Sequence, residues 1–140
     1  MSGGKTMNRV VHFEIHAADP KKIAEFYSSV FGWEIRHWDN PEVDYWMIMT
    51  APEGSKEPGI DGGIVKRYGS LPKPKGVDPM TAFVCTINVP NLDEYIKKVE
   101  KAGGRNVVPK MAIPGMAWLA YCVDIEGNRF GLFQEDKTAK

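Results

Sequence analysis

Hydrophobic and polar residues alternate near the start of the chain in a way that predicts a strand followed by a helix. Val11, Phe13 and Ile15 alternate with polar neighbours, which is the period of a strand with two unlike faces. Asp19 is suited to cap the following helix, and Gly32 is suited to the left-handed residue that ends it. Between them, four apolar residues form one stripe at helical spacing: Ile23, Phe26, Tyr27 and Val30.

The same pattern returns in the second half of the chain. Residues 10–35 and residues 82–107 share an order of strand, polar break, amphipathic helix and glycine, at a constant offset of 72 residues. Three further β-rich segments follow each helix, at 33–38, 45–50 and 60–67 and then at 105–111, 117–124 and 129–135. Each half is therefore predicted to be a βαβββ module, and the fold class to be α+β.

The repeat defines a domain organisation. The predicted parts are a flexible leader at 1–7, a first βαβββ module at 8–67, a linker at 68–80, a second βαβββ module at 81–136 and a tail at 137–140. A module of about 60 residues buries little core by itself, so we expect the two modules to need each other or a second chain.

Composition excludes several classes of function. The chain of 140 residues has 18 Lys plus Arg and 18 Asp plus Glu, so it lacks the strongly basic face of a nucleic-acid binder. Its apolar runs are shorter than the roughly 18 residues that span a bilayer, and the first residues show no apolar secretory segment. We therefore expect a soluble, cytoplasmic protein without nucleic-acid or membrane partners.

Two stretches of sequence resemble a known superfamily. VVHFEIHAADPKKIAEFYSSVFGWEI at residues 10–35 and DIEGNRFGLFQ at residues 124–134 are similar to the vicinal oxygen chelate superfamily, which includes glyoxalase I, bleomycin-resistance proteins and extradiol dioxygenases. The resemblance covers about residues 8–136 and is closest to the glyoxalase-like branch related to lactoylglutathione lyase. It implies a cup-shaped, eight-stranded mixed-sheet arrangement with two main helices.

The resemblance also implies where a metal ion would be held. Members that use metal draw one ligand from the first and fourth strand of each module, and these positions hold His12, Gly63, Val84 and Gly131 here. Only histidine among these residue types has a side-chain donor, whereas a catalytic divalent ion needs about three protein ligands. We therefore expect a degenerate metal site and no cofactor.

Glu14 offers two alternatives to that expectation. It lies about 6.6 Å along the strand from His12, so the two side chains could share a divalent metal if His37 or Glu34 supplied a third ligand. Without metal, His12 and Glu14 would hydrogen-bond each other or a ligand. In that setting Glu14 is a candidate general base and His12 its catalytic partner.

Aromatic and methionine residues on the β-rich segments indicate a binding surface for an apolar or planar small molecule. The alternative is that these residues simply form core. The loop IPGMA at residues 113–117 is a candidate lid over the cup. The candidate ligand-binding residues are Trp33, Tyr45, Trp46, Met116 and Trp118.

Three functions remain open from the sequence. The first is a metal-free binder of a small apolar or aromatic molecule, and the second is a glyoxalase-type lyase or isomerase acting through His12 and Glu14, with or without a divalent metal. The third is an interaction module whose sheets serve a homodimer. A homodimer is compatible with the other two functions as well.

Overall fold

The computed structural model describes residues 6–40, 44–67 and 82–140. The predicted linker at 68–80 and most of the predicted leader at 1–7 lie outside these residues. No helix in the described part of the chain is long and apolar enough to cross a membrane.

The described part of the first module contains four strands and one helix. They are β1 (Val10–Ala17), α1 (Pro20–Phe31), β2 (Glu34–Trp38), β3 (Tyr45–Met49) and β4 (Asp61–Lys66). The strands are ordered β2-β3-β4-β1. The β1–β4 pair is parallel, whereas β3 pairs antiparallel with both β2 and β4.

The second module repeats this plan. Its elements are β5 (Val84–Asn88), α2 (Leu92–Lys101), β6 (Arg105–Ile113), β7 (Ala117–Val123) and β8 (Arg129–Glu135). The strand order β6-β7-β8-β5 matches that of the first module, and its β5–β8 pair is again parallel. The α+β class, the eight strands, the two main helices and the tandem βαβββ repeat are confirmed.

The helix boundaries follow from the local signals in the sequence. The Asp19 side chain accepts a hydrogen bond from the Lys22 amide, and Gly32 ends α1 in the left-handed conformation with φ 72°. In the second module, the Asn91 side chain accepts from the Glu94 amide. The predicted roles of Asp19 and Gly32 at the ends of α1 are confirmed.

Alternation along the strands gives each four-stranded sheet two different faces. The helix face packs against the helix of its own module, and the open face is the opposite one. The helix-face core of the first module includes Phe13, Ile15, Ala24, Ile48 and Ile64. The equivalent core of the second module includes Val89, Leu92, Ala120, Cys122 and Leu132.

The described chain forms two compact units whose limits differ slightly from the modules. One unit holds residues 12–67 and 82–84, and the other holds residues 6–11 and 85–140. The short segment before β1 belongs to the second unit because it is hydrogen-bonded there. Asn8 N donates to Asn88 O at 2.8 Å, and Asn88 N donates to Arg9 O at 3.2 Å.

Candidate functional site

The open face of the first module collects the ionisable residues of β1. Because side chains alternate, His12, Glu14 and His16 share this face, while Phe13 and Ile15 enter the core. In the parallel β1–β4 pair, Glu14 lies opposite Gly63. The polar pattern seen in the sequence therefore lies on one surface of one sheet.

Glu14 is the buried carboxylate of this surface. Only 6% of the residue is exposed to solvent. Its Oε1 lies 3.3 Å from His16 Nε2, so the carboxylate has an imidazole partner on its own strand. Burying a carboxylate is costly unless it is hydrogen-bonded, and this contact offsets part of that cost.

His12 is held by Tyr45. The Tyr45 Oη lies 2.9 Å from His12 Nε2, and the two rings are nearly parallel. Burial lowers the pKa of His12, against the opposing charges of Glu14 and Asp61. Burial, assisted by the charge of Glu14, raises the pKa of Tyr45 above its ordinary value. At neutral pH both side chains of this pair are therefore uncharged.

Two glycines on β4 make room for the aromatic residues around them. A Cβ at Gly62 would overlap the backbone and ring of Phe13 on the helix face. A Cβ at Gly63 would overlap the phenol ring of Tyr45 on the open face. The open-face glycine thus allows Tyr45, on β3, to reach across β4 towards His12 on β1.

The residues present do not fit the divalent ion that the resemblance implies. The parts of the chain that the structure describes hold no group of three or more His, Cys, Asp or Glu side chains able to bind a metal ion. His37 Nε2 is 2.9 Å from Asp44 Oδ1, and Glu34 is paired with Arg36, so neither candidate third ligand joins His12. Val84, at the third implied position, is fully buried, and its side chain has no atom that could bind a metal ion.

The three candidate tryptophans pack towards the helices of their own modules. Trp33 stacks on Tyr27 of α1, and Trp46 packs against the helix-face core of its module. Trp118 packs against the α2 core, and its Nε1 donates to Asp136 at 3.0 Å. Trp46 lies between Tyr45 and Met47 on β3, so the alternation of side chains along the strand places it on the helix face. The open face of β3 carries Tyr45 and methionines instead.

Met116 and the candidate lid loop lie in the second unit and contact the end of the chain. Met116 is half exposed, and its carbonyl accepts from the Asp136 amide at 2.9 Å. The Gly115 amide donates to the carbonyl of Ala139, which is almost fully buried. The predicted tail at 137–140 is therefore packed against this loop.

Sequence reasoning missed three polar residues that the structure brings to the open faces. His16, near the end of β1, contacts Glu14. Asp61 lies opposite His12 and accepts hydrogen bonds from Thr50. Thr86, 72 residues after Glu14, has a buried hydroxyl with no hydrogen-bond partner among the described residues. The β1–β4 register, once assigned, would have identified Asp61.

Comparison with known sequences finds similarity over most of the chain. A family model described as "Bleomycin resistance protein-like N-terminal" matches residues 9–50. A "Glyoxylase-like domain-containing protein" from Didymella fabae is 30% identical over 118 residues, which cover 82% of this chain and 84% of that protein.

Comparison with solved structures finds the same fold. A Streptomyces coelicolor methylmalonyl-CoA epimerase in complex with 2-nitronate-propionyl-CoA matches 96% of this chain and 99% of its own, with TM-score 0.62 and 16% identity. The Mycobacterium tuberculosis methylmalonyl-CoA epimerase matches 97% of this chain and 93% of its own, with TM-score 0.58 and 17% identity.

Proposed function

The chain belongs to the vicinal oxygen chelate superfamily, among its glyoxalase-like members, and we propose that it binds a small organic molecule on the open face of its first module without a metal ion. The buried carboxylate of Glu14 carries this proposal. A sheet that needed only stability would be better served by an apolar residue at this position, since a buried ion pair is often no more stable than its apolar replacement.

The surroundings of Glu14 support a particular class of ligand. A carboxylate accepts hydrogen bonds, so it would hold a hydroxyl, amide or amine of the ligand. Met47 lies opposite Gly63 on the same face and is 38% exposed, which supplies a flexible apolar contact. We therefore propose an apolar or aromatic molecule that carries one hydrogen-bond donor.

The test is an NMR titration with a library of small aromatic fragments that differ in their hydrogen-bond donors. We expect donor-bearing fragments to shift backbone amides of β1, β3 and β4 in the wild-type protein. Glu14→Gln should weaken this binding roughly tenfold or more, because the charged acceptor is lost. Glu34→Gln, which alters an exposed carboxylate of the same module, should bind as the wild type does. Equal binding by the Glu14→Gln variant would refute the proposal.

A second candidate function is a lyase or isomerase acting through Glu14 and His12. The observation in its favour is a carboxylate held beside an imidazole on a surface that also holds a neutral His12. Such a carboxylate could take a proton from a carbon next to a carbonyl group and return it. The epimerases that share the fold are described with CoA esters bound, which makes such esters reasonable first substrates.

This enzymatic candidate is tested by proton exchange. The protein is incubated with methylmalonyl-CoA in deuterated water, and loss of the α-proton signal is followed by NMR. A lyase or isomerase of this kind should exchange the proton, and Glu14→Gln should abolish the exchange while Glu34→Gln retains it. Exchange that persists in Glu14→Gln would remove Glu14 from the mechanism and leave the binding proposal standing.

We propose the cellular location and the oligomeric state from the sequence alone. We expect a cytoplasmic protein, and a homodimer is compatible with the exposed apolar residues of α1, namely Phe26, Val30 and Phe31. Light scattering after size exclusion distinguishes the 15.7 kDa chain from its dimer.

A further inference from the structure

We infer that Tyr45 takes the place of a metal ion at His12, because its hydroxyl engages the Nε2 atom of His12 and its ring fills the space that a ligand side chain at position 63 would need. The inference goes beyond the proposed function, since a ligand could bind at Glu14 whether or not Tyr45 has this role.

The first step is the path of the Tyr45 side chain. His12 is on β1 and Tyr45 is on β3, with β4 between them. His12 lies opposite Asp61 of β4 and Tyr45 lies opposite Val65, so the two backbones are separated both across the sheet and along the strands. The two side chains nevertheless come within 2.9 Å at Tyr45 Oη and His12 Nε2. A side chain on the open face of β4 would obstruct this path, and Gly63 is the residue that leaves it free.

The second step is the chemistry of the contact. A phenol that keeps its proton needs an acceptor when it is buried, and the neutral imidazole offers one lone pair on a ring nitrogen. In the inferred arrangement, Nδ1 of His12 carries the ring proton and the Tyr45 O–H donates to Nε2, which is 2.9 Å away. That same lone pair is the one that would bind a metal. The hydrogen bond and a metal bond at Nε2 are mutually exclusive.

The third step is the coupling between positions 45 and 63. A side chain at position 63 would overlap the Tyr45 phenol where it now lies, so Tyr45 would have to leave His12 to make room for a ligand residue at 63. Removing Tyr45 and placing a histidine at 63 would instead assemble three donors on neighbouring strands. Those donors would be the introduced histidine, His12, and Glu14, which lies opposite position 63.

The first experiment measures Zn²⁺ binding by calorimetry, with the histidine rings followed by long-range ¹H–¹⁵N NMR. The Tyr45→Ala/Gly63→His double variant should bind one equivalent of Zn²⁺ roughly tenfold or more tightly than the wild type, in line with the usual effect of ligand-supporting residues. Adding His12→Ala to the double variant should abolish the gain. Wild-type protein that binds one equivalent of Zn²⁺ with its His12 resonances perturbed would overturn the inference.

The second experiment needs no redesigned site and decides the matter if the double variant fails to fold. In the wild type, the His12 spectrum should show a neutral ring protonated at Nδ1, with Nε2 accepting a hydrogen bond. Tyr45→Phe should move the Nε2 resonance to that of a free acceptor. Tyr95→Phe, which removes a phenol that contacts Asn8 in the other unit, should leave His12 unchanged. An unaltered Nε2 resonance in Tyr45→Phe would contradict the inference, and since no ligand is added, the proposed binding function would be unaffected.

Discussion

Among single residues, the two glycines of β4 show how a missing side chain lets a neighbouring residue approach each face of a sheet. Gly62 and Gly63 are consecutive, so they serve opposite faces. Gly62 lets the backbone and ring of Phe13 approach on the helix face, and Gly63 lets Tyr45 cross the open face. The sequence places both glycines on a predicted strand, but it does not identify the residues that occupy the space beside them.

Gly62→Ala should destabilise the protein. The new methyl group would meet the carbonyl oxygen of Phe13, a backbone atom that cannot move without disturbing the β1–β4 pair. Overpacking of this kind costs about 2–3 kcal/mol in the free energy of unfolding. Urea denaturation followed by circular dichroism measures the change.

Gly131→Ala is the matched control in the second module. Its Cβ would meet only the Thr86 hydroxyl at 3.0 Å, with other atoms at 3.5 Å or more. A small rearrangement and the reduced entropy of the unfolded chain should nearly cancel, for a net change under about 1 kcal/mol. Equal losses in the two variants would contradict the assignment of the Gly62 effect to the Phe13 backbone.

At the scale of elements, the sequence predicts the helices and strands well because the signals that define them are local. Asp19, Gly32 and Asn91 mark helix ends through hydrogen bonds or conformations that involve residues only a few positions away. The contact between the β6–β7 loop and the chain terminus is different. It joins Gly115 to Ala139, and no periodic pattern in the sequence identifies such a pairing.

Removing the last four residues should therefore loosen the β6–β7 loop. Ending the chain at Asp136 deletes the carbonyl of Ala139, which is the acceptor for the Gly115 amide at 2.8 Å. Exchange of that amide with solvent should become faster, because local opening no longer breaks a hydrogen bond. Hydrogen–deuterium exchange followed by NMR measures the rate.

A chain that ends at Ala139 provides the control. It lacks only Lys140, which is exposed, and it retains an acceptor for Gly115. Its Gly115 exchange rate should match that of the full chain. If both truncations exchanged Gly115 alike, the tail would have no role in ordering the loop.

At the scale of the whole molecule, the repeat was the most informative signal in the sequence, and the site was the least predictable part. The repeat at an offset of 72 residues predicts the βαβββ order, because each copy needs the same apolar pattern to bury its helix against its sheet. The partners on the open face follow instead from strand order. Placing Tyr45 beside His12 requires knowing that β4 lies between β1 and β3, and alternation along β3 left open whether Tyr45 or Trp46 is on the open face.

The chain as a whole should not isomerise the hemithioacetal formed from glutathione and methylglyoxal, even though it resembles relatives of lactoylglutathione lyase. Three of the four positions that the resemblance assigns to the metal carry Gly63, Val84 and Gly131, and none of these side chains can donate to an ion. The fourth, His12, is engaged by Tyr45. We expect no thioester formation, monitored by ultraviolet absorbance, with Zn²⁺, Ni²⁺ or Mn²⁺ added in turn. Metal-stimulated turnover that His12→Ala abolishes would show that the open face rebuilds a metal site when substrate is present.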